Sequence, residues 1–129
     1  MWHHSARHLA RWLAAACAGL AACDGPPDRT PSLGDVDPRQ GRQLVIDKGC
    51  AACHTFPDVP WPRGGLGPAL GDFGHQGLIA GQLPNQPGVL MQFVRNAPAL
   101  VRGTAMPAVP MSDQEARDVT AYLLQLKSR

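Results

Sequence analysis

Apolar and polar positions divide the chain into stretches of different period. Trp12 to Ala22 is an unbroken run of small and apolar residues, preceded by Arg7 and Arg11. A positive start and an apolar run of this length read as an export signal over residues 1–22, too short to span a bilayer as a helix. From Asp24 to Asp35 the pattern gives way to Pro26, Pro27, Pro31, Gly25 and Gly34, the composition of a loose tether. Helical patterning then begins. Asp37 fits an N-cap and Pro38 a first helical position; the helix runs through Leu44 and Ile46 to about Lys48 and stops at Gly49. Thr55 to Gly81 is dense in Gly and Pro and carries no period, so it reads as loops wrapped around something other than their own core. A second helix is predicted from about Pro87 to Asn96, with Leu90, Phe93, Val94 and Ala97 on one face. Ser112-Asp113-Gln114-Glu115 spells a capping box, after which Ala116, Val119, Thr120, Leu123 and Leu126 continue a helical stripe to the C-terminus. No strand pattern competes. The expected fold is small and all-α, with three to four helices.

Composition sharpens this picture at two points. Two of the twelve Lys and Arg residues lie in the leader while all ten acidic residues follow it, so the remainder is formally neutral. Neutrality argues against a nucleic-acid binder, which would carry a basic patch. Beyond the leader the aromatics are only Phe56, Trp61, Phe73, Phe93 and Tyr122. One small domain so poor in large apolar groups is marginal unless a buried cofactor completes its core.

Cys50-Ala51-Ala52-Cys53-His54 supplies that cofactor. CxxCH is the spacing of c-type haem attachment. Two thiols on one helical turn each reach a vinyl edge of the same porphyrin, and His54 then falls under the ring centre, where it can bind iron. A structural zinc site would need four ligands. Outside the leader region only His75 remains to add to the motif, so that set is not available. A dithiol redox pair would want a βαβ context with Val and Ile runs, which are missing here. It stays as the lesser alternative.

The second axial position has several candidates. Met111 directly precedes the capping Ser112 and fits a hydrophobic staple onto Ala116; Met91 lies beside the apolar stripe of a helix, where Met is usually core. His75 sits in a polar loop, as a solvent-facing residue or a propionate contact. Met106 stands in Gly103-Thr104-Ala105-Met106-Pro107, with Pro110 beyond. Pro107 disfavours helix at Met106 and the two prolines stiffen the loop, which suits a ligand better than a core residue.

Two family resemblances follow from these motifs. Leu20-Ala21-Ala22-Cys23 resembles the lipobox of bacterial lipoproteins, which implies that Cys23 is acylated and becomes the mature N-terminus; Cys17 lacks the preceding Leu. An ordinary cleaved signal or an uncleaved anchor is the alternative. The division is then 1–22 signal, 23–35 lipidated N-terminus and linker, and 36–129 folded domain. That domain resembles a class I cytochrome c, on Gly41, Cys50 to His54, Gly67-Pro68-Ala69-Leu70, Met106-Pro107 and Ala121-Tyr122-Leu123 in that order. The resemblance implies one covalent haem c on Cys50 and Cys53, with iron between His54 and Met106. It further implies that the Pro68 carbonyl accepts the other imidazole proton of His54, and that Gly41 lets the first helix cross against Tyr122. Many relatives carry Gly-Arg where this chain has Gly74-His75, which leaves the propionate contact open.

The implied function is one-electron carriage in a membrane-associated respiratory chain, on the periplasmic face of a bacterial inner membrane, or soluble in the periplasm. Ile79 to Asn85, followed by the Pro87 to Ala97 helix and Gly103 to Pro107, resembles cytochrome c domains attached to haem–copper oxidases, which implies a terminal oxidase as partner; a quinol-oxidising complex is the alternative. A haem enzyme or a gas or peroxide sensor with a labile Met106 is the competing class.

Overall fold

The computed structural model describes residues 33–127. The predicted leader, Cys17, Cys23 and the tether as far as residue 32 lie outside the described residues. The first helix, α1 (Pro38–Asp47), opens as expected: the Asp37 carboxylate accepts the N–H groups of Arg39 and Gln40, and Pro38 fills the first turn, where its missing N–H leaves no bond unmade. Lys48 closes the helix, and Gly49 turns the chain at φ +75°, a left-handed conformation that glycine adopts without a Cβ clash. A single 3₁₀ turn, Cys50–Ala52, follows directly.

The Gly- and Pro-rich stretch holds a second 3₁₀ turn at Phe73–His75 and, against the sequence expectation, a short antiparallel pair of β1 (Leu78–Ile79) with β2 (Leu83–Pro84). Its cause is a tight turn. Ala80 and Gly81 both have positive φ (49° and 69°), and the Gln82 N–H donates to the Ile79 carbonyl at 3.0 Å. Turns of that hand bring their flanking residues into pairing register. Strands of two residues are too short for alternation to be seen in a sequence.

Helix α2 (Pro87–Arg95) ends one residue before the predicted limit, and Ala97 belongs to a separate short helix, α3 (Ala97–Leu100). Continuing α2 would press the Pro98 ring on the Val94 carbonyl, so the chain breaks at Asn96. Ala97 is nevertheless fully buried. The last helix, α4 (Asp113–Gln125), has the predicted capping box: Ser112 Oγ accepts from the Glu115 N–H while Glu115 accepts from the Ser112 N–H at 2.7 Å.

Helices α1 and α4 cross closely, and two features allow it. A side chain at Gly41 would collide with the Asp118 carbonyl and stand 2.9 Å from Tyr122 Cβ. Buried Asp118 accepts the Asp37 N–H at 2.9 Å and Gln114 Nε2 at 3.0 Å, which satisfies a carboxylate that burial would otherwise penalise. Gln114 also donates to the Asp35 carbonyl at 3.0 Å, so the chain is held to the domain before α1 begins. Among the described residues no helix is long and apolar enough to cross a membrane.

Candidate functional site

The core residues Val45, Leu70, Leu90, Phe93, Val94, Val119 and Leu123 belong to one packed cluster. They line a cavity of about 370 Å³ between α1, α2, α4 and the loops. That lies in the range of roughly 300–1,000 Å³ typical of cofactor sites, and an apolar wall with a few placed donors is their usual character. Cys50, Cys53 and His54, with Pro68 and Met106 from farther along the chain, all line this cavity.

The motif turn is held from below by backbone bonds. The Gly64 N–H donates to the Ala51 carbonyl at 3.0 Å, the Gly67 N–H to the Cys53 carbonyl at 2.9 Å, and Thr55 Oγ1 to the Gly64 carbonyl at 2.9 Å. Neither glycine tolerates a side chain: a Cβ on Gly64 would strike the Ala52 carbonyl, and one on Gly67 would sit 2.7 Å from His54 Nδ1. The Pro68 carbonyl lies 2.9 Å from that same Nδ1. A bond there puts the proton on Nδ1 and leaves the lone pair on Nε2, the tautomer a metal-binding imidazole needs. Phe56 meets His54 edge-on at 6.5 Å and Tyr122 at 6.0 Å. Tyr122 in turn donates to Asp58 Oδ1 at 2.5 Å, and Arg42 Nε to Asp58 Oδ2 at 2.9 Å.

The Met106 loop, on the same cavity, is tied down at several points. The Met106 N–H donates to Thr104 Oγ1 at 3.2 Å, the Val109 N–H to the Arg95 carbonyl at 2.9 Å, and Ala108 bridges to Asn96. Met111 also lines the cavity, a contact that the staple reading of the sequence missed. Lys48 Nζ donates to the neighbouring Pro110 carbonyl at 3.2 Å and pairs with Glu115 at 2.9 Å, which draws Met111 toward the Lys48–Cys50 edge. Met91 packs half-buried against the core away from the cavity, and His75 is exposed beside Asp72, its Nδ1 2.8 Å from Oδ1. The Gly64 contact, the Lys48 clamp and the Asp58 network were also absent from the sequence reading. The run Gly64-Gly65-Leu66-Gly67 was the one local hint of close backbone approach.

The two thiols are not joined to each other. Burial pushes the Cys50 thiol up, the opposite of what a redox-active thiolate requires. Among the described residues no three His, Cys, Asp or Glu side chains converge, so a zinc set is lacking. Two cysteines, an oriented imidazole and a thioether around an apolar slot do fit a covalently tethered porphyrin.

Fold and site therefore define a class: a small all-α domain built around one cofactor carried by CxxCH. The chain belongs to the cytochrome c family, whose description, Cytochrome c, matches residues 38–127. Its cofactor is covalently bound haem c, and its role is electron transfer. It is 37% identical over 89 residues to cytochrome c oxidase subunit 2 of Alkalihalophilus pseudofirmus (strain ATCC BAA-2126 / JCM 17055 / OF4). The match takes in 68% of this chain and 25% of that protein, so the chain spans about a quarter of the relative's length. The fold is also similar to a chain in the crystal structure of SoxXA from P. pantotrophus, with a TM-score of 0.53 over 71% of this chain and 82% of that one. Identity there is 24%, and the likeness is one of fold.

Proposed function

We propose that this protein is a mono-haem electron carrier in which Cys50 and Cys53 hold the porphyrin by thioether bonds, His54 binds iron from one side and Met106 from the other. The haem, when bound, supplies exchange of a single electron at iron. The observation that carries the reading is the 2.9 Å approach of the Pro68 carbonyl to His54 Nδ1 at the wall of an apolar cavity that Met106 also lines. It supports a neutral, oriented imidazole with Nε2 available to metal.

The chain's own contribution is to hold both ligands still. Gly67 and Pro68 fix the imidazole from beneath, while Thr104, Arg95 and Asn96 anchor the loop that presents the thioether. Ligands that stay put in both oxidation states keep the reorganisation of electron transfer small. Thioether is a weak donor, and Met/His ligation raises the potential. His54 and Met106 would together hold the iron, and with both in place no position would remain for oxygen or peroxide, which sets the carrier apart from an enzyme or sensor. The mature chain is anchored through acylated Cys23 to the periplasmic face of the inner membrane. It passes electrons to a haem–copper terminal oxidase, a reading supported by the similarity to cytochrome c oxidase subunit 2.

The test is a comparison of thioethers. Haemochrome spectra and mass measurement of the purified protein are expected to give one haem on the Cys50–Cys53 peptide. Met106→Ala is expected to keep that haem and lose the ferric methionine-to-iron charge-transfer band, turning high-spin. Met111→Ala and Met91→Ala are expected to keep the band. An unchanged ferric spectrum in Met106→Ala would overturn the ligand assignment.

A further inference from the structure

The loop between the haem-attachment turn and Pro68 carries an exposed indole. Trp61 is 82% exposed and Leu66 85%. Isolated apolar residues at a surface are ordinary, but the setting of these two is not. Their loop is clamped at both ends to the site: at Asp58 by Arg42 and Tyr122, and at Gly64, whose N–H donates to the Ala51 carbonyl and whose carbonyl accepts from Thr55. Trp61 sits between these clamps, on backbone bonded directly to the turn that bears Cys50 and Cys53. Leu66 lines the cavity and bridges from it to the outer surface.

We infer that Trp61 and Leu66 form the docking face for the redox partner, and that this partner presents a neutral, apolar surface. The inference rests on the electron-carrier reading above. Charge decides the kind of partner. Arg42 is neutralised by Asp58, and Lys48 at the cavity edge by Glu115. Only Arg63 on this loop has no ion-pair partner among the described residues. A face with one free charge offers little long-range steering to an acidic partner and little attraction to anionic lipid. What it offers is a rigid aromatic that loses little entropy on binding, the residue type that dominates interface energetics. A membrane surface would also take up an indole, but contact there would bury Leu66, which both lines the cavity and stands at the surface.

The experiment uses the haem-loaded, reduced protein mixed rapidly with the terminal oxidase purified from the host's membranes. Trp61→Ala is expected to slow electron transfer to the oxidase about tenfold. The same variant keeps its potential and its rate with ferricyanide, a small oxidant that needs no docking face. The wild-type rate is expected to change by less than about twofold between roughly 20 and 300 mM salt. A rate unmoved by Trp61→Ala, a steep fall with salt, or an equal loss with ferricyanide overturns the docking face alone. So does a variant that loses binding to phosphatidylglycerol vesicles yet keeps the oxidase rate, since the indole is then a membrane contact. A wild-type protein that exchanges electrons with ferricyanide but never with the oxidase overturns the acceptor in the proposed function, and the docking face with it.

Discussion

Single side chains at this site are defined as much by what is missing as by what is present. Gly67 and Gly64 owe their identity to the imidazole and the carbonyl that occupy the space where a Cβ would go. Tyr122 is the counterpart, a buried hydroxyl with one designated acceptor. Burial first, and the neighbouring Asp58 carboxylate second, push its phenol well above the ordinary value. The protonated phenol is thus favoured in the folded state. Its contribution is fully present below about pH 10, the unfolded phenol value, and is lost as pH rises toward the folded one. Tyr122→Phe is expected to lower stability by about 1–2 kcal/mol at neutral pH, because the bond is to a charged but half-exposed partner. Denaturant midpoints for the pair should converge as pH climbs past about 10, since only the wild type has a phenol to ionise.

At the scale of elements, α4 does more than pack. Its first turn holds the Met106 loop from two sides, through Glu115 to Lys48 and through Asp113 to Arg95, the helix end to which the loop is bonded. The Ser112 cap that orders this turn is therefore coupled to the site. Ser112→Ala is expected to cost about 1 kcal/mol, read from thermal or denaturant unfolding. Acid acts on the same turn. The Ser112 N–H, followed by Lys48, holds the Glu115 carboxyl below the usual carboxylate range. Its stabilising contribution is present above that usual range and is lost as pH falls through the lowered value. The capping box was legible because it is written in four consecutive residues. The Lys48 clamp was not, because its partners are 62 and 67 positions away along the chain.

For the whole molecule, the cavity is the organising fact. The apolar stripes of α1, α2 and α4 pack in one cluster and also line a space of about 370 Å³. A chain of this size that leaves such a space unfilled lacks much of its core, and a group bound only by the folded state stabilises it by mass action. The double variant Cys50→Ala, Cys53→Ala, made without haem attachment, is expected to lose its cooperative unfolding transition and its near-ultraviolet circular dichroism. The wild-type holoprotein should keep both. A sharp apo transition near the holo midpoint would mean that the helices pack well enough without the cofactor.

Local chemistry was within reach of the linear order of residues: the three main helices, the caps of α1 and α4, the CxxCH motif, and a proline-stiffened methionine beyond it. Each rests on neighbours a few positions apart, where propensity and spacing act directly. Tertiary structure alone decided that Met111 joins Met106 at the cavity wall while Met91 does not. It also decided which glycines face an imidazole or a carbonyl. Those outcomes depend on where separate segments meet in space, and that is set by packing around a shared cavity rather than by any residue's own preference.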